Sequence, residues 1–357
     1  MPTIAISGAS GKLGSATLDA LLGRGLAGAG DVIALTSAGP GTATWERLAA
    51  RGVRVRHASF AGDAAAFAAA LAGADVFFLV STPHVALDYE RPTATAAAED
   101  GGAADADAWA EPPDGEGREA HHRLAIDAAA RAGVRHVYYS SLAFAWGAGG
   151  EGGGEGPGSA SRAGVMRAHL RTERYLAAAV AAAGRGGLRR ATAIREGLYA
   201  ESWPLYLGYF QVGADERGTV RLAADGRACW TAIADLGLAT ALLLAADDGE
   251  DGRLRTVYLA TRPAAAKSVA DVAALVTAAR AGPPVHVQLV GAAEHERHYV
   301  EDRGMPRPAV RWWASTYAAL AAGECLVDDP TLERLLASVG RVPTRVEDVV
   351  ARMVGGG

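Results

Sequence analysis

Ser7-Gly8-Ala9-Ser10-Gly11-Lys12-Leu13-Gly14 directly follows the apolar run Thr3-Ile4-Ala5-Ile6 and opens a helical pattern. A strand that feeds a glycine turn and then a helix is the physical layout of a diphosphate site. Glycine lets the chain bend sharply and lets the backbone come close to the anion. The free N–H groups of the helix start then face it, helped by the helix dipole. Spacing alone proves little, since 45 glycines in 357 residues produce Gly-x-x-Gly-x-x-Gly about 0.7 times by chance. The same spacing recurs at Gly150, Gly153 and Gly156, but that copy follows no strand and starts no helix. Only the first copy has the context of a dinucleotide turn.

Where such a turn binds a dinucleotide, the end of the second strand meets the adenosine ribose. A carboxylate there binds the 2′-hydroxyl of NAD and repels the 2′-phosphate of NADP. Here the position reads Leu35-Thr36-Ser37-Ala38, with no acid. Thr36 and Ser37 offer hydroxyl donors, and Lys12 adds a positive charge in the turn. NADP(H) is favoured and NAD(H) stays open. Other constellations fail. His295-Glu296-Arg297-His298 lacks the i, i+4 histidine spacing of a zinc helix, and the adjacent His121 and His122 point to different helix faces. No Gly-x-Ser-x-Gly elbow is present.

The elements that must position these groups alternate through the first half. Strand patterns read at 3–7, 32–36, 53–57, 76–80, 134–140 and 190–195, with helical patterns at 13–22, 44–51, 63–71, 117–132 and 163–183. Strands separated by helices of this length predict right-handed crossovers and a parallel, doubly wound α/β sheet of the Rossmann type. Residues 1–196 form the predicted dinucleotide domain, completed by a helix at 233–246 and a strand at 256–259 within 231–260. The stretches 197–230 and 261–357, the latter mostly helical, form a smaller substrate lobe. Two insertions, 93–118 and 145–161, are too polar or too glycine-rich to pack. Each follows a strand's carboxyl end, which admits a lid but fits an ordinary variable loop better. The aromatic clusters at 199–210 and 312–317 read as core before ligand box, with Tyr199 the most suggestively placed.

A formal charge of −5 gives no general attraction to nucleic acid or anionic membrane. Two cysteines, Cys229 and Cys325, make no disulfide framework. The first strand starts within three residues of Met1, and no apolar run reaches the length of a bilayer span. The expectation is a soluble, cytoplasmic protein without a metal or nucleic-acid partner, homodimeric association remaining open.

These residues also carry a family resemblance. Ile6-Ser7-Gly8-Ala9-Ser10-Gly11-Lys12-Leu13-Gly14, Phe78-Leu79-Val80-Ser81-Thr82, Tyr139-Ser140-Ser141-Leu142, His169-Leu170-Arg171-Thr172-Glu173 and Ile194-Arg195-Glu196-Gly197-Leu198-Tyr199-Ala200-Glu201 resemble the NmrA-like branch of the atypical short-chain dehydrogenases. Within it, the chain is most similar to the type 2 bacterial quinone oxidoreductases. The likeness runs on through Ala234-Asp235 to 326–332. It implies NADP(H) contacts from Gly8, Ser10, Gly11, Lys12, Leu13, Gly14, Thr36 and Ser81. The Thr36-Ser37 pair departs from it, because relatives often carry arginine there, and so does the long insertion at 93–118.

Short-chain dehydrogenases that reduce ketones use Tyr-x-x-x-Lys, the lysine lowering the tyrosine pKa so that it protonates the nascent alkoxide. The corresponding stretch here is Val165-Met166-Arg167-Ala168-His169, with both residues missing. A quinone leans less on an enzymic acid, since hydride arrival makes an aromatic phenolate, and positioning can suffice. That favours a reductase of quinones or similar conjugated acceptors. His169 is a candidate anchor for the nicotinamide and Tyr199 a candidate donor to the acceptor oxygen. Ser140 and Ser141 close a strand where they can line the site. Each also reads as an ordinary cleft or core residue, and the sequence leaves both readings open. The same missing pair suits an alternative of another class: a non-catalytic NAD(P)-binding redox sensor with a protein partner.

Overall fold

The short, β-rich runs between glycine and alanine-rich helices become nine strands and twelve helices among the described residues. The structure, a computed structural model, describes residues 1–85, 117–147, 160–183, 187–246 and 252–355. The second glycine triplet at 150–156 and the lid reading of both insertions therefore fall outside the described residues. The strands are β1 (Ile4–Ile6), β2 (Val32–Thr36), β3 (Arg54–His57), β4 (Val76–Leu79), β5 (His136–Leu142), β6 (Arg190–Glu196), β7 (Thr219–Leu222), β8 (Leu254–Leu259) and β9 (His286–Leu289). Helices of the first half are α1 (Lys12–Gly23), α2 (Ala43–Ala49), α3 (Ala64–Ala70), α4 (Gly117–Arg131) and α5 (Val165–Ala182). They are followed by α6 (Trp203–Tyr206), α7 (Ile233–Ala246), α8 (Val269–Ala279), α9 (Ala292–Arg297), α10 (Arg307–Ala321), α11 (Thr331–Ala337) and α12 (Val346–Gly355).

Seven strands form one sheet in the order β3-β2-β1-β4-β5-β6-β8, and every neighbouring pair is parallel. The expected doubly wound fold is therefore present. The strand order reverses between β1 and β4, which opens a crevice at their carboxyl ends. Alternation assigns the two faces. Ile4, Ile6, Val32, Phe78 and Ile194 pack with Leu13, Leu18, Leu236 and Leu244 of α1 and α7. Ala5, Ile33, Phe77, Val137 and Tyr139 pack on the other side with Phe67, Ile126 and Leu176 of α3, α4 and α5. A sheet covered on both faces needs continuous apolar runs, and β1, β2 and β4 are buried at every position.

A separate apolar cluster holds Trp203, Tyr206, Phe210, Trp313 and Tyr317 with residues from α8 and α12. Those aromatics are core, while the Tyr199 ring packs beside the α1/α7 face of the sheet. Two short strands escaped the sequence reading. β7 and β9 pair in parallel as a small second sheet; Val220 and Leu222, and Val287 and Leu289, alternate with polar residues, but each strand is only four residues long and stands outside the helix-spaced rhythm of the main sheet. Among the described residues no helix is long and apolar enough to cross a membrane.

Candidate active site

The glycine turn is fixed by backbone sterics. Ser7 ties β1 to the end of β4: its N–H donates to the Phe78 carbonyl (3.0 Å), and its Oγ accepts from the Val80 N–H (2.8 Å). Gly8 then takes φ +58°, a left-handed conformation that side chains resist. The Gly11 N–H donates back to the Gly8 carbonyl at 2.8 Å, closing the bend. Gly14 lies directly under it, where a Cβ would sit 2.2 Å from the Gly8 carbonyl oxygen. Helix α1 starts with Gly11 as its N-cap and no side chain satisfies its first-turn N–H groups. Gly8, Ser10, Gly11 and Lys12 are exposed, whereas Leu13 and Gly14 are buried. An uncapped helix start, a backbone free of side-chain cover and one lysine fit a diphosphate.

At the end of β2, Thr36 is buried and its hydroxyl accepts from the Ala38 N–H at 3.1 Å. Ser37 is exposed beside it. Thr36 thus shapes the turn, and Ser37 is the freer hydroxyl of the pair.

Across the crevice the wall is made of side chains. Ser81, just past β4, gives its N–H to the Ser140 Oγ at 2.8 Å and brings its Oγ within 3.3 Å of His122 Nε2. His122 Nε2 also accepts the Thr82 N–H (3.3 Å), so the ring proton sits on Nδ1, where it meets the Thr172 Oγ1 at 2.8 Å. His169 is fixed in the same way. Arg118 Nη1, always a donor, lies 3.2 Å from His169 Nε2, which leaves the ring proton on Nδ1 to face the Tyr139 hydroxyl at 2.8 Å. Burial and the nearby Arg118 charge hold both histidines well below their ordinary value, so both rings are neutral. His121 meets the Thr82 Oγ1 through Nδ1 (3.3 Å) and stacks on Phe60 and His84.

Ser141 belongs to a different network. Its hydroxyl donates to Glu173 Oε1 (2.6 Å), and Glu173 also takes two hydrogen bonds from Arg195, at 3.0 and 2.7 Å. Arg195 reaches the Tyr258 hydroxyl as well (2.9 Å). This buried pair pins β6 to α5. Tyr199 finds a third partner, donating its hydroxyl to Glu196 Oε2 at 2.6 Å. Burial raises the Glu196 carboxyl to about 8, with the Tyr199 hydrogen bond pulling the other way. The charge of Arg118 acts on Tyr139, His122, His169 and Tyr199 alike, and that of Arg195 adds to it at His169.

The structure therefore gathers His169 with Ser81 and Ser140 along one wall, sends Ser141 to Glu173, and sets Tyr199 on Glu196. The sequence assigned no site role to Arg118 or His122, and Tyr139, Thr172 and Glu196 stood there only inside the resemblance motifs, without a role of their own. The signal that points to Glu196 is charge on a buried strand: Arg195-Glu196 closes a run whose preceding residues are apolar or small. A parallel sheet interior rarely tolerates that without a purpose.

No family model matches the chain. It is 29% identical over 235 residues to an NmrA-like family domain-containing oxidoreductase of Aspergillus flavus, covering 65% of this chain and 66% of that protein. It is 26% identical over 251 residues to quinone oxidoreductase 2 of Escherichia coli, covering 70% of this chain and 66% of that one. The chain thus spans about two thirds of the length of the curated relatives it matches. The resemblance to NmrA-like oxidoreductases holds in both sequence and fold. In fold, the chain is similar to the NADPH complex of the NADPH-dependent quinone oxidoreductase from Escherichia coli. The TM-score is 0.68 and the identity 24%, over 98% of this chain and 99% of the other. Triphenylmethane reductase from Citrobacter sp. superposes with a TM-score of 0.68 at 22% identity, covering 99% of each chain.

Proposed function

We propose that this chain is an NADPH-dependent oxidoreductase that reduces a quinone or a similar conjugated carbonyl compound. The observation that carries the reading is the uncapped start of α1 behind a turn whose Gly8, Ser10 and Gly11 are exposed, together with the wall of ordered hydrogen-bonding side chains beyond β4. The names of the relatives agree with it: an NmrA-like oxidoreductase, and a quinone oxidoreductase crystallised with NADPH.

In this reading the backbone of Gly8, Ser10, Gly11, Leu13 and Gly14 holds the diphosphate, with Lys12 adding charge. Thr36 and Ser37 meet the adenosine ribose and its phosphate, and Ser81 lines the nicotinamide end. When bound, the dinucleotide supplies the hydride. His169 orients: both of its ring nitrogens are engaged, so it fixes Arg118 and Tyr139 instead of reaching for the acceptor. Ser141 acts through Glu173 as part of the scaffold. Calorimetry with NADPH and NADH, followed by NADPH oxidation with a panel of small quinones, tests the proposal. Binding with turnover, tighter for NADPH, is expected. Binding without turnover on any acceptor would favour a redox sensor, and no binding of either dinucleotide would overturn both.

A further inference from the structure

Glu196 is the last residue of β6, on the carboxyl edge of the sheet, two strands beyond β4. Strand alternation separates it from Arg195. Arg195 points to the α5 side and meets Glu173, while Glu196 shares the side of Ile194, which packs with α1. That is the side on which the glycine turn passes into α1. The residue is 1% exposed, yet Tyr199, whose hydroxyl it accepts at 2.6 Å, is only partly buried. The carboxyl therefore lies directly beneath the Tyr199 hydroxyl. Its other oxygen, Oε1, is buried and has no hydrogen-bond partner among the described residues.

An ionised carboxylate would not be left with an unpartnered oxygen in an apolar strand end. The hydrogen-bond directions give a consistent alternative. Tyr199 donates to Oε2, so Oε2 is the carbonyl oxygen of a neutral acid and the proton resides on Oε1, the oxygen with nothing to bond. An unmet donor at a ligand-binding edge has a use only when a ligand brings an acceptor to it.

We propose that Glu196 is the proton donor of the reaction, with Tyr199 as its positioning residue, in place of the absent Tyr-x-x-x-Lys pair. The inference rests on the reading of the chain as a quinone reductase. A quinone that has gained a hydride from the nicotinamide carries one anionic oxygen. The Oε1–H bond of Glu196 breaks, a new O–H bond forms on that oxygen, and a hydroquinone leaves. Solvent returns one proton to the carboxylate. The balance is one quinone, one reduced dinucleotide and one proton giving hydroquinone and oxidised dinucleotide. Tyr199 is the titratable group bonded to Glu196, and Arg118 and Glu201 act on Tyr199 in turn.

The test compares wild type with E196Q and Y199F on two acceptors. A quinone needs the proton, whereas a cationic triphenylmethane dye becomes colourless on hydride addition alone. E196Q should lose at least about 100-fold in quinone kcat, keep dye reduction within about twofold, and lose the solvent isotope effect on the quinone reaction. Y199F should keep turnover but shift its alkaline pH limb. A readout without cofactor accompanies these: infrared difference spectra at neutral pH should show the carbonyl stretch of a protonated carboxyl in wild type, missing in E196Q. Equal loss on both acceptors in E196Q with dinucleotide affinity intact, unchanged quinone turnover, or absence of that band would each overturn the inference. If wild type reduces neither acceptor, it is the quinone-reductase reading that fails, and the infrared band still decides whether Glu196 is a neutral acid.

Discussion

Between Ser7 and Gly14 the groups that make the turn are consecutive, and most of them are backbone amides. The wall opposite is assembled from afar: Ser81 follows β4, Arg118 and His122 come from α4, Tyr139 and Ser140 from β5, and His169 and Thr172 from α5. The turn depends on what is missing, namely Cβ atoms at Gly8 and Gly14. The wall depends on buried polar groups, each satisfied by another. Removing a side chain should therefore do little in the turn and much in the wall, while adding one should do the reverse.

The largest effect is expected in the neighbouring buried network of Glu173 and Arg195, built from side chains as the wall is. Glu173→Ala strands the Arg195 guanidinium in a buried site and should cost about 3–5 kcal/mol of unfolding free energy, measured by denaturant titration. A loss within experimental error would show that such a network tolerates gaps as the turn does. Gly14→Ala is the counterpart in the turn. Its Cβ would meet the Gly8 carbonyl carbon at 2.8 Å as well as the oxygen, so the bend itself must open. NADPH affinity should drop by about 100-fold, close to 3 kcal/mol, in a protein whose far-ultraviolet circular dichroism is unchanged; undiminished affinity would remove Gly14 from the cofactor reading.

Glu196 sharpens the contrast through pH. Its carboxyl is raised from an ordinary 4.5 to about 8 in the folded chain. The native state then holds a proton that the unfolded chain releases, so this contribution to stability is full below about 4.5 and is lost as pH climbs toward about 8. Across that window wild type should weaken by up to about 1.4 kcal/mol per pH unit relative to E196Q, as followed by melting at stepped pH. Parallel melting curves for the two proteins would show that the carboxyl is ionised throughout. Smaller still, Ser37→Asp places a carboxylate beside the ribose and should weaken NADPH about tenfold, or 1.4 kcal/mol, with NADH spared. Ser10→Ala removes a hydroxyl but no amide, and isothermal titration should find it within about twofold of wild type.

The same contrast explains what could be read in advance. Strand alternation, helix-length spacers and the turn at Gly8–Gly14 are local, so the sheet and its cofactor edge were legible in the linear chain. His169 and Tyr199 could be singled out, but not their partners. Nothing in the spacing of Arg118, Tyr139 and His169 tells that α4, β5 and α5 bring them into one network. Glu196 was visible only as part of a family motif, because its meaning lies in an empty hydrogen-bonding position, which no pattern of residue types encodes. β9 was missed for a different reason: its alternation of Val287 and Leu289 with polar residues lasts only four residues, too short to stand apart from a loop in a stretch that reads as mostly helical.

The C-terminal stretch has a mechanical consequence. Leu332 and Leu336 of α11 are buried with the sheet and α7, and Val349 and Val350 of α12 are buried in the aromatic core. Between them the Thr344 N–H donates to the Asp235 carboxylate at 2.6 Å, at the start of α7. A few residues thus clasp both halves of the molecule together like a buckle. Neither half can come loose without undoing that fastening, so clipping the chain before Thr331 should turn one sharp melting event into two shallow ones.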